Sequence, residues 1–402
     1  MPTIVFFISS YNDINTGVGG HYRSIKEIAN LLKNRFQVKV FTFGNIPSPI
    51  LETLPFYEHI ETGNIFSPAT WKRLNSLKTK IDHQQDEPTL YVSVGDLSCY
   101  IPVLVCLGIP TGKAVAHVKP GGPSFPRSHF YNGIPMMTFH SQDLEAFRKC
   151  DASRPLFLAP GRVAPPPLDH DYLAKAVPAL QDARGKRPRM LCVCRIAGEK
   201  LTSLRTIYGA LSRVSADMHF AHIGIVQDTP VLQELQAIPM AFPSEILTAS
   251  DVVDSAARAV HECDLFTGLG RSIVEAIALG KIAFVPVRDA SGTPRLVALT
   301  RENWRVLNHH NFTDRVSMAE IEVTGQPVFL EEVVEDPSAY AYLGVDSQAI
   351  YDEHLSIATS ESVWRRFFEE AVAFRSQRLR DCKRFALFVL QNIKRQLQAR
   401  RT

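Results

Sequence analysis

Residues 264 to 286 read DLFTGLGRSIVEAIALGKIAFVP, and the order of residue types in that block decides the fold. Leu265 and Phe266 form a short apolar strand that runs into a glycine turn at Gly268 and Gly270. The turn opens a helix carrying Glu275, and after Gly280 a second apolar strand follows over Ile282 to Val285. This is a strand-turn-helix-strand unit of the kind that holds an anion. Glycines let backbone approach a ligand, while the unpaired N–H groups and positive dipole end of a helix favour a phosphate. Glu275, on the same helix, is a candidate acceptor for sugar hydroxyls.

Outward from that block the pattern repeats in two series. In the first, Thr3 to Ser9 is a nearly continuous apolar run, as a buried parallel strand requires, and a helix with Ile25, Ile28, Ala29 and Leu32 on one face follows. Further strands are expected at Val38 to Phe43, Leu90 to Val94, Lys113 to Val118, Met136 to Phe139 and Leu156 to Ala159. PGRVAPPP, from Pro160 to Pro167, continues neither helix nor sheet. The second series has strands at Met190 to Cys194, His219 to Val226, Leu265 to Thr267 and Ile282 to Val285, and helices over Leu201 to Val214, Asp251 to Glu262 and Ser272 to Leu279. Alternation of this kind predicts an α/β protein of two doubly wound, Rossmann-like domains facing a cleft. The expected boundaries are 1–165, a linker over 166–188, 189–360, and a basic C-terminal helix over 361–402. The stretch from Val323 to Gln348 reads as an acidic, irregular insertion or extended loop.

Composition narrows the class. Of 402 residues, 45% are hydrophobic and 21% charged, which suits an ordinary globular protein. A net charge of +3 is too small to imply nucleic acid as a partner. Seven cysteines without a C-x-x-C suggest neither a disulfide framework nor a zinc site, and a reducing cytosol fits. The apolar start lacks a basic leader and reads as a first strand, and no apolar run approaches the ~18 residues needed to span a membrane. Nine basic residues and one acid lie between Arg375 and Thr402. A solvated crossover helix is the favoured reading of the whole long helix that begins near Ser362, with binding to an anionic membrane surface as the alternative.

Three further features bear on chemistry. Arg195 and Lys200 stand five residues apart where a strand enters a helix, and such a pair can neutralise a diphosphate. Gly19 and Gly20 end a glycine loop after the first strand; it lacks the dinucleotide fingerprint, since the third glycine would fall at Tyr22. His117 and Lys119 leave another strand of the first domain. Two patterns are rejected as metal sites. Asp169-His170-Asp171 does not follow an apolar strand, and His219 and His222 point to opposite faces of one.

Thr267-Gly268-Leu269-Gly270-Arg271-Ser272-Ile273-Val274-Glu275-Ala276 resembles the donor-binding signature of retaining GT-B glycosyltransferases of glycosyltransferase family 4, in its bacterial polysaccharide type. It departs at one place, because Thr267 replaces the family's first glutamate, which contacts the donor sugar. The resemblance implies donor binding at Gly268, Leu269, Gly270, Arg271, Ser272, Ile273 and Glu275, with Glu275 on the ribose. It places Arg195 and Lys200 on the donor phosphates, and Gly19 and Gly20 over the diphosphate beside the acceptor. It matches His117, loosely, to a cleft histidine that contacts the donor sugar; a buried structural histidine is the other reading. Asn303-Trp304 and Asn311-Phe312 are similar to asparagine–aromatic pairs of polysaccharide enzymes. The expectation is therefore a cytoplasmic, metal-independent, cofactor-free enzyme, with a peripheral position at the inner membrane face as the alternative. It would move a sugar from a nucleotide diphosphate sugar to a hydroxyl of a polysaccharide or lipid-linked oligosaccharide. The rivals are a nucleotide-sugar 2-epimerase of the same fold and a catalytically silent nucleotide-sugar- or glycan-binding partner.

Overall fold

In the computed structural model of the protein, the described residues are 1–10, 19–61, 69, 72–73, 75–77, 89–95, 114–120, 134–150, 155–166, 187–254, 256–338, 340–373 and 386. The chain divides into two compact units, Met1–Arg162 with Ser360–Thr402, and Val163–Thr359. Most of the expected linker lies outside the described residues, as do Gly17, Asp169, His170, Asp171 and all but Ala386 of the basic tail beyond Ala373.

The first unit is built on seven strands: β1 (Thr3–Ser10), β2 (Gln37–Gly44), β3 (Tyr57–Glu61), β4 (Thr89–Val94), β5 (Ala114–Lys119), β6 (Met136–Thr138) and β7 (Leu156–Leu158). Their order is β3-β2-β1-β4-β5-β6-β7 and every pairing is parallel. β1 is apolar along its length because both of its faces are covered; Phe6 and Phe7 are fully buried. Phe7 stacks between Phe41 and Tyr91, at 5.8 and 6.4 Å, which ties the three central strands together by side chains as well as by the ladder.

The second unit carries β8 (Arg189–Val193), β9 (His219–Ile223), β10 (Ser244–Leu247), β11 (Leu265–Gly268), β12 (Ile282–Arg288) and β13 (Pro294–Ala298), in the order β10-β9-β8-β11-β12-β13. All neighbours are parallel except β13, an antiparallel edge strand reached from β12 by a tight turn. Strands β3, β10 and β13 are absent from the sequence reading. β3 and β10 lie at sheet edges with half-exposed, polar-interrupted patterns, and Pro294-Arg295 opens β13 with turn-like residues.

Two expectations are corrected. The stretch from Val323 to Gln348 is not an irregular insertion but contains two helices, Leu330–Glu335 and Tyr342–Ile350. Leu330, Val333 and Val334 bury one face, while the acids work at the ends: Glu332 accepts from the Phe329 N–H and Glu331 pairs with Arg295. The helix Glu361–Ala373 is not solvated either. It returns to the first unit, where Trp364 meets Phe6 at 6.2 Å, Phe367 meets Phe157 at 5.3 Å and Phe368 meets Phe36 at 4.5 Å. Burying three aromatics outweighs the charge on its outer face. Among the described residues no helix is long and apolar enough to cross a membrane.

Candidate functional site

Strand order locates the site within the second unit. From β8 the chain moves to β9 and β10 on one side, then crosses to β11 on the other, so β8 and β11 flank the point where the winding reverses. In open α/β sheets ligands bind beyond the carboxyl ends of the strands at that point. Gly268, the last residue of β11, lies in register with Val193, the last of β8. The Gly268–Gly270 turn and the Arg195–Lys200 loop, remote in sequence, therefore leave neighbouring strands side by side.

The glycines of the turn are there because nothing larger fits. A Cβ on Gly268 would fall 2.5 Å from the Ser272 hydroxyl and 3.0 Å from the Val193 carbonyl. Gly270 has φ +61° and ψ −117°, a conformation open only to glycine, and precedes the helix Arg271–Ile277. Ser272 closes the turn on itself, accepting from the Leu269 N–H at 3.2 Å and donating to the Leu269 carbonyl at 3.3 Å. Ile273 is wholly buried in the core and can offer a ligand only its backbone, while the half-buried Leu269 packs against the other core cluster.

Thr267, where the family resemblance expects an acid, is completely buried and donates its hydroxyl to the Phe284 carbonyl of β12 at 3.1 Å. A carboxylate there would face that carbonyl without a donor. Glu275 is buried and accepts from Arg271 Nε through Oε1 at 2.6 Å, an ion pair with side chains 7% and 11% exposed. Its second oxygen has no hydrogen-bond partner among the described residues and remains available to a ligand.

The cations differ in a way the sequence does not display. Arg195 is committed, with one nitrogen 3.1 Å from Glu199 and another donating to Gln227 at 3.2 Å. Lys200, which leads into the helix Leu201–Leu211, pairs with no carboxylate among the described residues. Both act on the same spot: burial pushes the Cys194 thiol up to about 11 against the opposing pull of Lys200 and then Arg195.

Beneath the loop lies a buried relay. The Tyr208 hydroxyl donates to Nδ1 of His222, and Nε2–H of His222 donates to the Cys194 carbonyl, each at 2.9 Å. A carbonyl only accepts, so the tautomer is fixed. Burial lowers the His222 pKa to about 4 and keeps the ring neutral at pH 7. Gly224 lets the strands close here, since a Cβ on it would sit 2.0 Å from the same carbonyl. None of Gln227, Glu199, Tyr208 or His222 was singled out as part of the site from sequence; the apolar run broken by His222 and followed by Gly224 was the available signal.

In the first unit the corresponding reversal lies between β1 and β4, and Gly19 and Gly20 follow β1 there, Gly19 capping the helix Gly20–Leu32. His117 is on β5, fully buried, with Nδ1 2.8 Å from the Ser93 hydroxyl of β4. Among the described residues no group of three or more His, Cys, Asp or Glu side chains is arranged to hold a metal ion.

No protein-family model matches the sequence, and no curated protein matches it. Solved structures do match in fold. A glycosyltransferase from Rickettsia africae superposes with TM-score 0.59 at 14% identity, over 92% of this chain and 98% of that one. HepE from Anabaena, solved with UDP and glucose, gives TM-score 0.60 at 12% identity, over 92% and 99%. A Listeria monocytogenes protein assigned as a UDP-N-acetylglucosamine 2-epimerase gives 0.53 at 12%, over 93% and 98%. At these identities the likeness is one of fold, and it defines the class: an α/β protein of the GT-B type with two Rossmann-like domains.

Proposed function

We propose that this chain is a retaining glycosyltransferase, related to glycosyltransferase family 4, that takes a nucleotide diphosphate sugar as donor and a polysaccharide or lipid-linked glycan hydroxyl as acceptor. The observation that carries the reading is the pairing, at the β8/β11 reversal, of a glycine turn with a lysine that no described carboxylate neutralises. Such a site keeps one positive charge unneutralised by any described carboxylate where a diphosphate brings negative charge. The UDP and glucose in the Anabaena relative of the same fold support this choice of ligand.

In this reading the glycosidic bond breaks through an oxocarbenium-like transition state, and charge grows on the departing diphosphate. Lys200 stabilises that charge directly and Arg195 does so while braced by Glu199 and Gln227. No metal or cofactor is called on. Glu275 receives the ribose on its second oxygen, and Arg271 holds the first. Gly19, Gly20 and His117 belong to the same reading, on the acceptor-side unit and at the donor sugar. The leaving phosphate oxygen takes the acceptor's proton on the face from which it departs, so no enzyme nucleophile is needed. Thr267, buried with its hydroxyl on the Phe284 carbonyl, offers the donor sugar no carboxylate, so the donor in this reading is one that does not require the family's glutamate. A cytoplasmic location, at the inner membrane face when the acceptor is lipid-linked, completes the proposal.

The test is a panel of nucleotide sugars with detection of free nucleotide and of sugar identity, with chelator in a parallel series. Slow nucleotide release without acceptor, unaffected by chelator, is expected. A sugar epimerised without transfer would establish the 2-epimerase instead, and binding with neither outcome a silent partner.

A further inference from the structure

The loop after the helix Trp304–His309 touches both halves of this site. Asn311 and Phe312 have φ of +56° and +51°, two successive non-glycine residues in the left-handed region. Asparagine tolerates that region; phenylalanine does so at a cost, which persists only where surroundings enforce it. Here they do. The Phe312 ring is completely buried, and Thr313 and Arg315 both donate to the His310 carbonyl, at 2.8 and 3.1 Å. Asp314 accepts from Ser203, three residues beyond Lys200. On the other side the Asn311 carboxamide lies face-on to Gly270. A Cβ on that glycine would meet its nitrogen and its oxygen at 3.1 Å each.

We infer that Asn311 is a positioning residue of the donor site: its carboxamide holds the Gly270 turn in the geometry that receives the terminal phosphate of a nucleoside diphosphate. The inference rests on the donor-site reading above. The three atoms nearest the Cβ direction of Gly270 all belong to this carboxamide, and glycine is the residue with most freedom to leave such a conformation. The left-handed backbone at 311 and 312 delivers the carboxamide to that place, and the Ser203–Asp314 bond fixes the same loop to the helix that Lys200 opens.

Asn311→Gly separates this role from a structural one, because glycine keeps the left-handed backbone and removes only the carboxamide. Calorimetric titrations with nucleoside diphosphate and monophosphate, with thermal melts, are run on wild type, Asn311→Gly and Asn311→Asp. The glycine variant is expected to melt no lower than wild type, yet to bind diphosphate roughly fivefold more weakly, as one ordering contact is lost from the turn, with monophosphate affinity unchanged. The aspartate variant, which brings a negative charge to the turn, is expected to bind diphosphate more weakly still. Equal diphosphate affinity in wild type and Asn311→Gly overturns the inference alone. Parallel loss of both ligands with a lowered melting temperature also overturns it, assigning Asn311 to folding. A wild type that binds no nucleoside diphosphate overturns the donor-site reading itself.

Discussion

Replacing His222 by glutamine should change how the protein's stability responds to acid, and the size of the change follows from the relay that His222 completes. The ring is buried with a pKa lowered from 6.5 to about 4, so the folded protein resists a proton that the unfolded chain accepts. The unfolded state binds more protons throughout that window, and stability falls as pH drops from about 6.5 to about 4 and is flat below. The full shift is worth about 3 kcal/mol, of which about 1.4 is already lost at pH 5.5. The groups facing the ring do not titrate there: burial raises the Tyr208 hydroxyl and the Cys192 thiol, and holds the Cys194 thiol at about 11. Glutamine can still donate to the Cys194 carbonyl, but it loses the Tyr208 hydrogen bond and the titration. The variant should therefore be less stable by about 1 kcal/mol at pH 7 and should equal or exceed wild type below about pH 5.5. Urea unfolding of both proteins between pH 4.5 and 7.5 measures the difference, in which every other titrating group cancels. Two curves that stay parallel across the window would show that the ring takes up its proton in the folded protein, and the relay as described would be wrong.

Lys200→Ala should lower turnover by about 10²- to 10³-fold with little effect on melting, because the ammonium serves no described carboxylate. Arg195→Ala should cost less in turnover, and the two should combine less than additively because both act on one diphosphate; equal kinetics for Lys200→Ala and wild type would remove the lysine from the site. Glu275→Ala breaks a buried ion pair and should destabilise by about 3 kcal/mol while weakening nucleotide binding. Glu275→Gln is the cleaner probe, and nucleotide affinity unchanged in it would confine Glu275 to holding Arg271. Trp364→Ala should cost about 3 to 5 kcal/mol, read by denaturant unfolding, since the indole is buried against Phe6 and Phe367; a loss under about 1 kcal/mol would mean that the helix is only loosely docked.

The sequence by itself determined the two α/β series and the position of the glycine turn. Uninterrupted apolar runs such as Thr3 to Ser9 are compatible only with strands covered on both faces, and glycines at 268 and 270 mark backbone that a side chain would obstruct. Both are local consequences of residue type. Periodicity also carries the helix from Glu361, although charge on its outer face hid how deeply Trp364, Phe367 and Phe368 are buried. The acidic stretch misled for the same reason: Glu331 and Glu332 serve one helix end, and the apolar face of Leu330, Val333 and Val334 finds its partner only in the folded unit. What the tertiary structure decided is adjacency. Strand order brings the ends of β8 and β11 together and sets the Arg195 loop beside the Gly268 turn. Only the folded chain reveals that Arg195 is already paired while Lys200 meets no carboxylate among the described residues, that Thr267 spends its hydroxyl on Phe284, and that Asn311 reaches Gly270. Apart from the local Arg195–Glu199 pair, those facts depend on partners such as Gln227, Phe284 and Asn311, far away in sequence and chosen by which strands lie side by side, and no local pattern encodes that choice.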